Sequence, residues 1–152
     1  MLGNVVQLLS SVLVLVVGAG LEELLPKVLG VGFPVLLTSV QFAAFRRPLP
    51  SLVVTAIAAG AMEDALSSLA PMTSISYFLI VALFTRMLEI PRMATALTYP
   101  CYQIWLAIWT SGVGGGVFGR VLVAFPIGLV TAFAVSAALG LLERKAAIDE
   151  QG

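Results

Sequence analysis

Histidine is absent and cysteine occurs once, so this chain of 152 residues lacks the commonest general base and cannot close a disulfide within itself. Cys101 lies inside an apolar stretch, where a buried, unreactive packing thiol is expected. Imidazole and thiolate metal sites are excluded by the same shortage, and no cofactor is expected. Charge is also scarce: Asp, Glu, Lys and Arg make up 11% of the residues, and Lys+Arg 8 balances Asp+Glu 8. A formal net charge of zero leaves no electrostatic footprint for nucleic acid.

What remains is apolar. Hydrophobic residues account for 60% of the chain and the mean hydropathy is +1.07, far above ordinary soluble domains, so membrane lipid is the expected surrounding. Charges and helix breakers divide the sequence into apolar blocks at residues 4–21, 28–45, 51–69, 72–88, 94–111 and 117–142. Each is close to the roughly 20 residues that cross a bilayer as a helix. Membrane β-strands would instead alternate apolar and polar positions. The expectation is an all-α integral membrane protein: a single transmembrane domain over residues 1–152, folded as a bundle of about six helices.

Residues 12–17 could pass for a signal-peptide core and Gly18-Ala19-Gly20 for its cleavage site, but no positively charged segment precedes them. The first block is therefore expected to stay as a helix. Arg46-Arg47-Pro48-Leu49-Pro50, Leu69-Ala70-Pro71, Glu89-Ile90-Pro91-Arg92 and the glycine-rich residues 112–119 supply turns. Pro34, Pro100 and Pro126 fall inside predicted spans and predict bent helices. Of the cations, Arg46, Arg47, Arg86, Arg92, Arg144 and Lys145 fall on one set of loops, and Lys27 and Arg120 on the other. Positive charge stays inside, so both termini are expected in the cytoplasm, in agreement with an even number of spans. Trp105 and Trp109, one turn apart, are expected as interfacial anchors.

Glu63-Asp64 is the costly exception, because ionisable side chains at a helix centre cost about 2.5–3.5 kcal/mol each on insertion scales. A helix entering at Ser51 carries them roughly 18–20 Å into a core of about 30 Å, nearer the outer face. Ala56, Gly60 and Asp64 share a stripe at four-residue spacing, where small residues let another backbone approach closely. Two readings follow. The pair either caps or hydrogen-bonds to a neighbouring loop, or Asp64 contacts a partner helix or belongs to a buried network. Adjacent helix positions point about 100° apart, so the two carboxylates do not converge as a general acid–base pair. No other catalytic set is visible, and a non-enzymatic role is expected.

Phe33-Pro34, Gly60-Ala61-Met62-Glu63-Asp64-Ala65-Leu66-Ser67 and residues 74–83 together form a pattern that resembles MreD, the rod shape-determining membrane protein family. The resemblance is carried by residues 32–87, with Gly60, Asp64 and Ser67 matching position by position and Pro34 as a weaker fourth. It implies a scaffold subunit of the bacterial inner membrane that binds a single-span MreC-like protein. Through that partner it would link a cytoplasmic filament to wall synthesis and cell shape. It also implies a fold like the substrate-binding subunits of energy-coupling factor transporters. That likeness supplies the alternative, a vitamin-capture subunit, in which Ala56 and Gly60 would face a coupling partner and Glu63, Asp64, Thr73, Ser74, Ser76 and Gln103 would line a polar pocket. Ala56, Gly60, Glu63, Asp64, Ser67 and Pro34 are the candidate partner-binding or structural residues.

Overall fold

The computed structural model describes residues 2–29, 32–88, 95–110 and 116–149. Among them are six helices and no strand: α1 (Leu2–Leu29), α2 (Val35–Arg46), α3 (Leu49–Leu66), α4 (Thr73–Met87), α5 (Thr95–Thr110) and α6 (Gly116–Asp149). Arg92 and the glycines at 112, 114 and 115 lie outside the described residues. α3, and α6 over Gly116–Ala138, are long and apolar enough to cross a membrane, whereas α2 and α4 are apolar but shorter.

The first two predicted spans need correction. α1 does not stop at Leu21 but runs to Leu29, and Val28, expected to open the second span, belongs to it. Pro26 forgoes one backbone hydrogen bond without ending the helix, and Lys27 returns to Glu23 one turn back at 2.7 Å. The helix start is reset only at Pro34, the residue ahead of α2, so Pro34 caps α2 and bends no helix. Pro100 and Pro126 do lie within helices, as expected. α2 is thereby cut to 12 residues, about 18 Å of helix against a hydrocarbon core of about 30 Å.

This short α2 is the centre of the molecule. Leu36, Leu37, Val40 and Ala44 are almost fully covered, and α1, α3, α4, α5 and α6 all pack against it. Its polar residues are satisfied locally or by α5. Thr38 and Ser39 donate to carbonyls one turn back, at 2.8 Å in both cases. Gln41 receives the Thr95 hydroxyl and donates to the Thr98 hydroxyl at 3.1 Å. Buried polar groups must be paired in this way, because an unmade hydrogen bond costs about 1–3 kcal/mol.

Two glycines set the closest helix contacts. A Cβ on Gly60 would lie 2.5 Å from the Ile75 Cα and 2.7 Å from its nitrogen, so α3 and α4 meet backbone to backbone there. A Cβ on Gly128 would lie 2.6 Å from the Thr95 carbonyl oxygen, which places α6 equally close to the first turn of α5. At the far end of the α2–α4 pair, Arg86 donates to the Ala44 carbonyl at 3.1 Å and to the Arg47 carbonyl at 2.6 Å. A cation there answers the free carbonyls and negative dipole end of α2. The outward faces of α1 and α6 are apolar, with Leu13, Val16, Phe118, Leu122 and Phe133 all exposed.

Candidate functional site: a carboxylate-lined cavity

α2 and α4 share an unusual beginning. Neither has a side-chain cap of its own, since Pro34 precedes one and Met72, in the left-handed conformation (φ 74°), precedes the other. Each receives a carboxylate from the helix before it. The Leu36 N–H donates to Glu22 Oε1 at 3.1 Å, and the Ser74 N–H donates to Asp64 Oδ1 at 2.7 Å. A carboxylate accepting a free N–H at a positive dipole end recovers part of the cost of taking that charge out of water. The turn that delivers Asp64 is tight: Leu69 N–H returns to the Asp64 carbonyl at 2.9 Å, and the Thr73 hydroxyl donates to the Ala70 carbonyl at 2.7 Å.

Between these caps lies a cavity of about 430 Å³. Glu22, Phe33, Glu63, Tyr99, Tyr102 and Gln103 are among its walls, so α1, α3, α5 and the approach to α2 all contribute. The second oxygen of Glu22 is buried and has no hydrogen-bond partner. The Glu63 carboxyl lies within hydrogen-bonding reach of Glu22: two ionised carboxylates could not satisfy each other, but one proton shared between them would. Glu63 also accepts the Ser67 hydroxyl at 3.1 Å. At the rim, the exposed Lys27 is paired with Glu23 at 2.7 Å. Arg120 belongs to an adjoining cleft of about 370 Å³ that shares Gly32, Tyr99 and Gln103.

The far wall is aromatic and itself anchored. The hydroxyls of Tyr102 and Ser74 are hydrogen-bonded, the Tyr77 hydroxyl donates to the Thr98 carbonyl, and the Trp105 N–H donates to the Thr73 carbonyl at 2.9 Å. Tyr102 stacks on Tyr77 with centroids 5.1 Å apart. These contacts fasten α5 to the first turn of α4.

The structure separates the residues that the sequence groups together. Ala56, Gly60 and Asp64 are buried within the chain, with Gly60 and Asp64 holding α4, so the small-residue stripe is an internal contact. Glu63 and Ser67 turn to the cavity, and Pro34 lies on its wall. Cys101 is exposed on α5, contrary to the expected buried thiol, because the same helix directs Tyr102 inward. Trp105 is a partly buried strut to α4, whereas Trp109 is exposed as an anchor would be. Glu22 is the residue that sequence reasoning passes over. Its signal is the parallel between Glu22-Glu23 and Glu63-Asp64, each an acidic pair shortly before a glycine- or proline-bearing turn.

No family model matches the chain, and neither a curated protein nor a solved structure matches it.

Proposed function

We propose that the chain is a non-enzymatic scaffold subunit of the bacterial cell-elongation machinery, of the MreD kind, with its helices embedded in the inner membrane and both termini cytoplasmic. One observation carries this reading: Gly60 and Asp64, two of the residues that bear the resemblance, act together to lock α4 onto α3. A motif that maintains a hairpin is what a scaffold family would share whatever its partners. The apolar outward faces of α1 and α6 suit lipid, and Arg46, Arg47 and Arg86 cluster at the end opposite the cavity, where the positive-inside rule puts the cytoplasm. In this reading an MreC-like partner docks on an outward face, since Ala56, Gly60 and Asp64 are already covered.

Co-purification with a single-span MreC-like protein tests the proposal. Gly60→Leu and Asp64→Leu are expected to abolish that association and to round the cells, by releasing α4. If a protein carrying either substitution still inserts, binds the partner and preserves rod shape, the proposal fails. The cavity favours a second reading, a substrate-capture subunit of an energy-coupling factor type transporter. That reading requires paired ATPases to co-purify and a small molecule to be retained in the isolated protein, both accessible to native mass spectrometry.

A further inference from the structure

We infer that Glu22 and Glu63 form a proton-binding site: one proton held between the two carboxyls joins α1 to α3, and its loss lets the two helices part. The site stands under either reading of the chain's function. The side chains come from different helices, Glu22 from α1 and Glu63 from α3, and meet within hydrogen-bonding reach on the cavity wall. Each has one oxygen engaged elsewhere. Glu22 Oε1 accepts the Leu36 N–H at 3.1 Å, and Glu63 Oε1 accepts the Ser67 hydroxyl at 3.1 Å. The second oxygen of Glu22 is shut off from solvent, and no donor among the described residues reaches it. The group beside it is another carboxyl, which can donate only when it carries a proton.

The surrounding helices supply no substitute for that proton. On α1, Lys27 is the one cation, and it is engaged by Glu23 at the exposed rim. On α3, Asp64 is turned away to the Ser74 N–H. α2 carries no acid, and its Arg46 stands at the far end, as does Arg86 of α4. α5 faces the pair with two phenols, but the Tyr102 hydroxyl is taken by Ser74 and the Tyr99 hydroxyl is directed to the Gly32 carbonyl. Arg120 of α6 lines the adjoining cleft. With no cation between them, two ionised carboxylates would repel at contact, whereas a single proton turns that repulsion into a charge-assisted hydrogen bond. Because Glu22 also starts α2, the proton ties three helices together. The cavity extends to the rim at Glu23 and Lys27, so the proton has a path to water.

The test uses the full chain in detergent and two readouts, infrared difference spectra between variant and wild type, and the distance between spin labels. The labels replace Leu24 on α1 and Ala61 on α3, both exposed and neither on the cavity wall, in a Cys101→Ser background. Glu63→Gln is the informative variant, because its amide donates to Glu22 without a titratable proton and its carbonyl still accepts the Ser67 hydroxyl. Glu22→Gln mirrors it from the other side and decides alone if Glu63→Gln does not fold.

At neutral pH the wild type is expected to show the carbonyl stretch of a protonated carboxyl, shifted in D₂O, and this band should be lost in both Gln variants and kept in Glu23→Gln. Between about pH 5 and about pH 9 the band should disappear and the label distance lengthen together. In Glu63→Gln the distance should stay short at every pH, and in Glu63→Leu, which has neither proton nor amide, it should be long at every pH. The inference is overturned if the difference spectra show no such band, if the band survives in either Gln variant, if the distance does not follow the band, or if Glu63→Gln opens with pH as the wild type does.

Discussion

Asp64 and Glu22 are expensive side chains in an apolar chain, and the contact each makes explains its presence. Asp64 answers the Ser74 N–H and Glu22 the Leu36 N–H, so both sit where the helix dipole is positive. Replacing Asp64 with Asn retains an acceptor but loses the charge, and should lower stability by about 0.5–1 kcal/mol. Asp64→Leu leaves the N–H unanswered and should cost about 2 kcal/mol. Denaturant titration in micelles distinguishes the two, and equal stability of both variants would show that an acceptor for the Ser74 N–H contributes nothing to the fold. Gly60→Ala is the sharper test, because its Cβ meets backbone 2.5 Å away and cannot be relieved by a rotamer change. A loss of about 3 kcal/mol is expected, at the upper end for overpacking. The acidic pair at 63–64 was legible because charge inside an apolar block is conspicuous. Glu22 was not, since it follows directly on a span and reads as the start of a loop.

At the scale of elements, the first four helices form two pairs in which the later helix is started by the earlier one. α1 supplies the cap for α2, and α3 for α4, while Arg86 at the end of α4 covers the terminal carbonyls of α2. Glu22→Ala should therefore loosen the first turn of α2 specifically. Hydrogen exchange is expected to rise at Leu36 and Leu37 more than within α4, and a uniform rise would show that the whole bundle had weakened instead. The other hairpin, α5–α6, is set by Gly128 against Thr95. Gly128→Leu should separate these helices and also disturb the hydrogen bonds of Gln41 with Thr95 and Thr98, lowering the unfolding midpoint without touching the cavity caps. Most helix positions were readable from apolar runs and breakers. The shortness of α2 was not, because Val28 and Leu29 are as apolar as any residue of a second span and only the packing assigns them to α1.

For the molecule as a whole, the question is what surrounds it. Cys101 is exposed on the middle of α5, which makes it a reporter of that surrounding. In intact membranes a charged, water-borne maleimide should leave Cys101 unmodified, and solubilisation in denaturant should expose it fully. Rapid modification in intact membranes would place α5 in water and refute embedding of the complete bundle.

The order of residues by itself determined that the chain is helical and apolar, where most helices break and where the cations lie, because these depend on neighbouring residues and on the cost of burying charge. Tertiary structure alone decided that the stripe of Ala56, Gly60 and Asp64 faces inward, that α2 is a short central helix, and that Glu22 and Glu63 share one cavity. The physical reason is distance along the chain. A carboxylate finds a helix start 10 or 14 residues away only once the hairpin has closed, and no local pattern records which side of the closed hairpin it faces.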